Sequence, residues 1–492
     1  MITRLKINGF KNLVGVDLHF GPFTCVAGAN GVGKSNLFDA IRFLSSLASK
    51  SLTEAALTVR DDDGKGDVRA IFHRIGGDFA PKMDLEVEMI VPRFATDDFG
   101  QKAEATNTFL RYHLILGWRQ EPPTGGYAIE IHEETLSHIT LQEASAHLPF
   151  PHKANPWRRS IIQAKRRAPY FISTPHTSGE RKIFLHQDRQ EQHGGGRPLP
   201  RPARTLPRTI LSAANAAEAP TVLCAKREME SWTLLQLEPS AMRRPDNFNS
   251  PSHVGHNGAY LAATLYRLAS HADDPQRIYT RVANRLSELI EDVRGVCVER
   301  DERRETLTLV LTDKDGTKHS ARALSDGTLR FMALGIRELD SEATGLLCLE
   351  EPENGIHPDR IAAMLRLLKE TATDPEEFVN ETNPLRQIMV NTHSPLVVAE
   401  CDDHSLLLAR SVNAVDQRRL FRRVQFACLP DTWRAKADKN FPVASRGELL
   451  AYLQPASFNP RPRGKRAEYG HRRVADRPDL QAHFEHLLVA EE

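Results

Sequence analysis

The sequence predicts an α/β fold, and three observations support this. An apolar run, Phe23–Ala27, leads directly into a glycine-rich turn, after which apolar residues recur at helical spacing from Leu37 to Leu47. Strand-like alternation of apolar and polar residues precedes this unit at Val14–Phe20. Further alternating segments follow at Asp84–Val91, Thr108–Leu116 and Tyr127–His132, with no helical pattern between them. We therefore expect a strand–turn–helix unit accompanied by an antiparallel sheet that continues the opening strands.

Composition limits the class of protein. The 492 residues carry 65 Lys and Arg against 64 Asp and Glu, so a chain that is basic throughout is excluded. No stretch approaches the roughly 20 apolar residues that cross a bilayer, and the N-terminus lacks a secretory signal. The six cysteines form no C-x-x-C pair, which suits a reducing compartment. We expect a soluble cytoplasmic protein with no membrane partner.

Residues 151–208 differ from the rest of the chain. They contain 13 Lys and Arg against 3 Asp and Glu, with many prolines and three consecutive glycines. We interpret them as an irregular surface insertion, in part disordered. A second basic cluster lies at 461–473. Either segment is a candidate binding site for the phosphates of a nucleic acid. An arginine-rich solvated surface or a docking site for an acidic partner is an equal alternative.

Beyond the basic insertion, helical and strand patterns return. Helical spacing covers 258–293, and strand patterns follow at 296–299 and 307–312. The remaining predicted elements are a helix at 327–339, a strand at 345–349, a helix at 359–370, a strand at 387–391 and a strand pair between 405 and 428.

Residues Gly28–Ser35 read G-A-N-G-V-G-K-S, which fits the phosphate-loop pattern G-x-x-x-x-G-K-[ST] between a predicted strand and helix. Backbone N–H groups there would cradle phosphate oxygens, Lys34 would contact the β- and γ-phosphates, and Ser35 would bind Mg²⁺. The alternative is a glycine turn that only links strand to helix. The nucleotide-binding candidates are Gly28, Ala29, Asn30, Gly31, Val32, Gly33, Lys34, Ser35 and Asn36.

Paired carboxylates end the apolar strand of residues 345–349. Glu350 is the candidate metal ligand, and Glu351 the candidate general base for hydrolysis. We expect Glu353 to brace the turn. A solvated acidic turn after a core strand is the alternative.

The segment Leu324–Arg330 reads L-S-D-G-T-L-R at a predicted helix start. Ser325 offers a hydroxyl and Gly327 an unobstructed backbone, and with Asp326 they form a candidate anion site at the positive end of the helix dipole. An ordinary Ser/Asp helix cap is the alternative, and it is the better interpretation of this segment in isolation.

His393 follows the predicted strand 387–391 in the sequence N-T-H-S-P. At the end of a strand it is placed to hydrogen-bond a γ-phosphate and to respond to its loss. A structural histidine is the alternative.

These four motifs occur in an order that resembles the ABC-type ATPase heads of the SMC/RecF/OLD group, particularly stand-alone bacterial AAA-type proteins. Gly28–Ser35 matches their Walker A motif, Leu324–Arg330 their signature loop, Leu346–Glu351 their Walker B strand and His393 their switch histidine. The resemblance implies a P-loop NTPase fold of the ABC type, with a mixed central sheet, an antiparallel β subdomain and a helical insertion. It also implies that Lys11 and Asn12, in the opening L-K-I-N-G-F-K-N-L, contact nucleotide.

With this resemblance the chain divides into five predicted regions. They are an N-terminal ATPase lobe at 1–150, the basic insertion at 151–208, a helical and β insertion at 209–320, a C-terminal ATPase lobe at 321–430 and an extension at 431–492.

The sequence departs from the group in several places. The signature reads S-D-G-T, and Glu350 replaces the usual Walker B aspartate. The glutamine that completes such sites is not identified, because Gln101 and Gln120 follow strands without the matching context. Long coiled-coil arms and a toprim nuclease domain are not expected.

The resemblance implies an ATPase that uses ATP and Mg²⁺ and works as a head-to-tail homodimer, with Ser325 and Gly327 supplied by the partner chain. DNA repair or maintenance, or anti-phage defence with a separately encoded effector, is the function it favours. The alternatives are a nucleotide-gated scaffold or sensor that holds a toxin or nuclease with little turnover, the energy subunit of an ABC transporter and, least favoured, a small-molecule kinase.

Overall fold

The fold was analysed in a computed structural model of the chain. It describes residues 1–59, 66–121, 126–175, 181–188, 199–288, 290, 292–416 and 419–453. Residues Met1–Arg446 form one compact unit. A second unit begins at Gly447, and its described part lies in the helix Arg446–Leu453.

A six-stranded sheet carries the strand that precedes the glycine-rich turn. Its strands, in spatial order, are Thr233–Leu235, Gly345–Glu350, Arg386–Thr392, Phe23–Ala27, Leu406–Asp416 and Arg419–Ala427. The first five run parallel and the last is antiparallel. Every residue of Phe23–Ala27 and of Arg386–Thr392 is buried, as expected for central strands covered on both faces. The predicted α/β fold with a mixed central sheet is confirmed.

An eight-stranded antiparallel sheet forms the second layer. Its strands, in spatial order, are Leu199–Pro202, Lys182–Leu185, Tyr170–Ser173, Gly126–His138, Phe109–Glu121, Lys82–Ile90, Ile2–Asn8 and Val16–His19. Every neighbouring pair is antiparallel. The predicted meander that continues the opening strands is therefore correct.

The interpretation of 151–208 as an irregular insertion is wrong for its described residues. Three short strands from this segment extend the antiparallel sheet. Phe171, Ile172 and Ile183 are fully buried, so the strands Tyr170–Ser173 and Lys182–Leu185 contribute apolar side chains to the core. The high density of charge and proline in the sequence obscured these short alternating runs, because they are only four residues long.

A small third sheet consists of Asp246–Asn247, Thr306–Asp313, Val293–Asp301 and Lys318–Ser320. Two short hairpins pair Arg74–Ile75 with Asp78–Phe79 and Phe94–Thr96 with Lys102–Glu104. The helical pattern at 258–293 corresponds to two helices, Leu261–Ser270 and Pro275–Ser287, followed by the strand that begins at Val293.

The other α-helices are Lys34–Leu47, Leu52–Leu57, Ala144–His147, Arg159–Ile161, Pro220–Glu230, Pro239–Met242, Asp326–Leu339, Ile361–Thr371, Pro395–Ala399 and Trp433–Ala437. Short 3₁₀ turns cover Val68–Ile71, Ala203–Thr205, Leu211–Ala213, Ala321–Ala323, Pro358–Arg360 and Asp403–Ser405, and a π turn covers Ala154–Arg158. Among the described residues, no helix combines the length and apolar character needed to cross a bilayer.

A buried glutamine joins the two large sheets. Gln387 lies in the central parallel strand Arg386–Thr392 and has no exposed surface. Its Oε1 accepts the Ile2 amide at 2.8 Å, and its Nε2 donates to the Ile2 carbonyl at 2.7 Å and to the Gly21 carbonyl at 2.9 Å. The first strand of the antiparallel sheet is thus fixed to the centre of the parallel sheet, because every hydrogen bond is satisfied out of contact with water.

Candidate nucleotide-binding site

The turn Gly28–Gly33 links a buried strand to the helix Lys34–Leu47. Gly33 has φ of 107°, a left-handed conformation that favours glycine. Gly28 lies so close to the neighbouring strand that a Cβ atom would be 2.5 Å from the Ala409 carbonyl oxygen. The glycines of the motif are therefore required by backbone conformation and by close approach of two strands.

The backbone of this turn presents a row of unused donors. In the described part of the chain, none of the seven backbone N–H groups from Ala29 to Ser35 donates a hydrogen bond. Ala29, Asn30 and Gly31 are exposed. Because the last of these amides also begin a helix, the turn forms a cradle for an anion with several oxygen acceptors.

The ammonium group of Lys34 lies inside this cradle. Its Nζ donates to the carbonyl oxygens of Gly28 at 2.7 Å and Ala29 at 3.0 Å. Burial lowers the pKa of Lys34, while the negative charges of Glu351, Glu353 and Glu350 oppose that effect. The lysine is thus a buried cation that faces both the turn and the acidic residues.

Asn12 closes one side of the turn. Its Nδ2 donates to the Val32 carbonyl at 3.1 Å, and its Oδ1 accepts from Asn36 Nδ2 at 2.8 Å. A Cβ at Gly33 would be 2.3 Å from the Asn12 amide, so this side chain also explains why position 33 is glycine. Lys11 has φ of 44°, and its Nζ lies 2.9 Å from Asp39 Oδ2. Of the two residues, Asn12 is the one whose side chain reaches the turn.

Glu350 ends the strand Gly345–Glu350, next to the end of Arg386–Thr392. Gln236 Nε2 donates to Glu350 Oε2 at 3.1 Å, and Asn391 Nδ2 lies 3.5 Å from Glu350 Oε1. Gln236 directly follows the parallel edge strand Thr233–Leu235. It is therefore the glutamine at the carboxyl edge of the parallel sheet, a position that the sequence analysis left unassigned.

Gln101 and Gln120 are not near this edge. Gln101 precedes the short strand Lys102–Glu104, and Gln120 lies within Phe109–Glu121 of the antiparallel sheet. The signal for Gln236 was the apolar triplet Thr233–Leu235 before it, which is too short to be recognised as a strand by periodicity.

Glu351 and His393 lie together at the ends of neighbouring strands. His393 Nδ1 is 2.8 Å from Glu351 Oε1, and Asn354 Nδ2 donates to Glu351 Oε2 at 2.9 Å. Burial opposes ionisation of Glu351, but the hydrogen bonds from Asn354 and His393 outweigh it and lower the pKa of the carboxyl. Glu351 is thus a partly exposed carboxylate with a hydrogen-bonded histidine beside it.

Glu353 is buried and accepts a hydrogen bond from the Thr392 hydroxyl. Burial raises the pKa of its carboxyl. The expected bracing role fits these contacts, since Glu353 joins the acidic turn to the strand that leads to His393.

Ser325 caps the helix Asp326–Leu339, with its Oγ accepting from the Thr328 amide at 3.2 Å. Asp326 pairs with Arg243. Gly327 lies against another turn of this chain. A Cβ there would be 2.4 Å from the Gly355 carbonyl oxygen, so the glycine permits contact with the turn that follows Glu351.

The residues at this edge fit a magnesium nucleotide. The unused amides of Ala29–Ser35 and the Lys34 ammonium suit phosphate oxygens. The Ser35 hydroxyl, the Glu350 carboxylate and the Gln236 amide oxygen are the oxygen ligands that Mg²⁺ prefers. Bound Mg²⁺ would supply charge to polarise a phosphoryl group.

The structure describes only part of the two basic segments. The cluster 461–473 lies outside the described residues. In 151–208, Trp157 is fully buried and packs against Phe150, with ring centroids 5.4 Å apart, so it anchors the segment to the core. Tyr170 is 47% exposed.

Comparison with known proteins gives one family match. Residues 23–93 and 228–399 match the family described as "AAA domain, putative AbiEii toxin, Type IV TA system". These two segments contain the glycine turn, the signature loop, the paired carboxylates and His393.

Shorter matches occur with curated bacterial proteins. The chain is 36% identical over 87 residues to the DNA replication and repair protein RecF of Frankia alni, covering 18% of this chain and 22% of that protein. It is 33% identical over 107 residues to the chromosome partition protein Smc of Xanthomonas oryzae pv. oryzae, covering 19% of this chain and 9% of that protein. The chain therefore spans about a fifth or less of these relatives.

Solved structures of Smc heads are similar over most of the chain at low identity. The SmcHead bound to the C-winged helix domain of ScpA aligns with 87% of this chain and 98% of its own, at 13% identity and a TM-score of 0.43. The SMC head domain from Thermotoga maritima aligns with 86% and 97%, at 12% identity and a TM-score of 0.36.

Proposed function

We propose that this chain, which carries an ATPase domain of the SMC/RecF-like ABC type, binds and hydrolyses ATP with Mg²⁺ and dimerises head to tail while ATP is bound. One observation carries the proposal. The glycine turn, Glu350, Glu351 and His393 all lie at the carboxyl ends of three adjacent parallel strands, where α/β proteins bind their ligands.

Each side chain has a role that follows from its contacts. Lys34 and the amides of Ala29–Ser35 hold the phosphates, with Asn12 fixing the turn and Lys11 beside it. Ser35, Glu350 and Gln236 hold Mg²⁺. Glu351, kept ionised by its hydrogen bonds, accepts the proton of the attacking water.

His393 responds to loss of the γ-phosphate. Its side chain bonds to Glu351 and remains 42% exposed, so it is placed to contact the γ-phosphate as well. Ser325, Asp326 and Gly327 come from the partner chain. The start of this helix in the partner chain supplies an exposed hydroxyl and a positive dipole end to the nucleotide bound by the first chain. ATP thus favours the closed dimer, and hydrolysis removes the contacts that hold it.

The cellular role that we propose is DNA repair or maintenance, or anti-phage defence with a separate effector protein. The names of the RecF and Smc relatives support a role at DNA. The basic residues of 151–208 and 461–473 are the sequence basis for contact with it.

Lys34→Ala and Glu351→Gln test the proposal, with Lys50→Ala as the control because Lys50 is an exposed lysine after the same helix. Lys34→Ala should abolish binding of a fluorescent ATP analogue, whereas Lys50→Ala should leave it unchanged. Glu351→Gln should bind ATP and run in light scattering at twice the 55.2 kDa monomer mass. A Glu351→Gln protein that stays monomeric with ATP and Mg²⁺ would rule out the dimer. Dimerisation with negligible wild-type turnover would favour the scaffold alternative.

A further inference from the structure

Six arginines surround a cavity of about 680 Å³ beside the third sheet. We call it the arginine cavity, and its arginines are Arg243, Arg244, Arg300, Arg303, Arg304 and Arg322. They come from three separate segments: the chain before Asp246–Asn247, the end of the strand Val293–Asp301 with the turn that follows it, and the 3₁₀ turn Ala321–Ala323. Guanidinium groups from distant parts of the sequence therefore face one space.

The three carboxylates that line the cavity already have partners. Glu299 pairs with Lys318 at 2.8 Å, and Glu302 pairs with Arg300 at 2.9 Å. Asp301 accepts the backbone amides of Arg303 and Arg304, at 3.0 and 3.1 Å. Arg300 and Arg304 are thereby paired with Glu302 and Asp301, and Arg243 pairs with Asp326, so half of the six arginines lack a carboxylate partner among the described residues.

Three of the arginines are open to a ligand. The side chains of Arg244, Arg303 and Arg322 are exposed, and no hydrogen bond or ion pair joins them to any residue that the structure describes. Three like charges around one space repel each other, and a bound anion relieves that repulsion. The hydroxyls of Thr306, Thr308 and Ser320 also line the cavity and add hydrogen-bond donors.

We propose that the arginine cavity binds the phosphate backbone of a nucleic-acid strand. Arginine forks match phosphate oxygens, and a row of phosphates supplies several anions at once. Five of the six arginines are exposed, which suits a long ligand that continues beyond the cavity. No lining residue of the cavity belongs to 151–208 or 461–473.

The cavity shares its wall with the signature loop. Arg243 Nη2 donates to the Leu324 carbonyl at 2.9 Å and also pairs with Asp326. Arg322 lies two residues before Leu324. A strand in the cavity therefore contacts the residues that hold Ser325 in place, and through them binding alters ATP turnover. This consequence, unlike the binding itself, rests on the proposed function.

The test is a triple variant, Arg244→Ala/Arg303→Ala/Arg322→Ala. The control is Arg277→Ala/Arg294→Ala/Arg366→Ala, which removes three exposed, unpaired arginines of the described chain that lie outside the cavity. Binding of fluorescein-labelled single-stranded and duplex DNA is measured by anisotropy over a range of salt, without nucleotide. We expect the cavity variant to bind about tenfold more weakly and the salt slope to fall by about 2, because three phosphate contacts are lost.

Failure of this inference is distinguishable from failure of the proposed function. The proposal is overturned if the cavity variant binds DNA as tightly as the control, or if the wild type binds only an acidic peptide such as polyglutamate. Thermal melting checks that both variants fold, and a fluorescent ATP analogue checks that both retain the nucleotide site. The Lys34→Ala variant should lose ATP binding and retain DNA binding.

Discussion

His393 Nδ1 lies 2.8 Å from Glu351 Oε1, at the ends of two adjacent parallel strands that a helix connects. Glu351 reaches this position with φ of 46°, an unfavourable conformation for a residue other than glycine. Its backbone amide donates to the Asn391 carbonyl at 2.9 Å, which holds the conformation. The strain is thus stabilised by the neighbouring strand and directs the carboxylate toward the histidine.

Glu351→Gln should reduce steady-state ATP hydrolysis by about 100-fold or more, because an amide cannot accept the proton of water. ATP binding should be retained, since the residue is not part of the phosphate cradle. Phosphate release measures turnover. Glu377→Gln removes an exposed carboxylate elsewhere and should keep wild-type rates. Equal rates in Glu351→Gln and the wild type would exclude Glu351 as the base.

Gln236→Ala should raise the Mg²⁺ concentration needed for half-maximal hydrolysis by about tenfold, because the residue contacts Glu350 and lies where it can bind the metal. A Mg²⁺ titration at saturating ATP measures this. Gln101→Ala is the matched control, since Gln101 is an exposed glutamine next to the hairpin strand Lys102–Glu104, which is not part of the parallel sheet. Identical titration curves for the two variants would remove Gln236 from the site.

Gly327→Ala should lower the free energy of unfolding by about 1–3 kcal/mol, because the added methyl group meets the Gly355 carbonyl oxygen at 2.4 Å. Urea denaturation measures the change. Gly295→Ala is the control, since a Cβ there has nothing within 4 Å. Unchanged stability in Gly327→Ala would mean that the acidic turn can move away without cost.

Glu134 makes stability depend on pH. It is fully buried, and burial raises the pKa of its carboxyl to about 7, against hydrogen bonds from the Leu211 and Ile210 amides and Tyr112. The folded state therefore keeps a proton that the unfolded state loses near its ordinary pKa of 4.5. Stability from this group is fully present below pH 4.5 and is lost as the pH rises through about 7.

The rise of the Glu134 pKa from 4.5 to about 7 lowers the free energy of unfolding by about 3 kcal/mol between pH 4.5 and 8. Glu134→Gln cannot ionise, so its unfolding free energy should fall less than that of the wild type over this range. Denaturant titrations at several pH values measure the free energy of unfolding of both proteins, and its slope against pH is compared between them. Parallel pH profiles for the two proteins would contradict the raised pKa.

The sequence predicted the elements that long patterns or chemical motifs mark. The glycine turn and the strand that ends at Glu350 were placed within one residue, and the helix from Lys34 within three, because buried strands beside a charged or glycine-rich turn have a strong signal. The contact between Gly327 and Gly355 could not be predicted, because nothing in the local sequence indicates which distant backbone segment approaches a glycine.

Short strands account for the other differences. Thr233–Leu235 and Lys182–Leu185 have too few residues to show a period, and their pairing partners are distant in the chain. Gln236 and the strands in the described part of 151–208 were missed for this reason. The arginine cavity was also hidden, because its six arginines are spread from 243 to 322 and form no run in the sequence.

The three hydrogen bonds of Gln387 make the two large sheets a single mechanical body. The strand that bears this amide ends at Thr392, one residue before the histidine, so a displacement at that end is carried directly to Ile2 and Gly21. Slow deuterium uptake at the Ile2 amide would report that coupling from the far layer. The Gln387 side chain is therefore one of the links that connect the parallel sheet to the antiparallel layer.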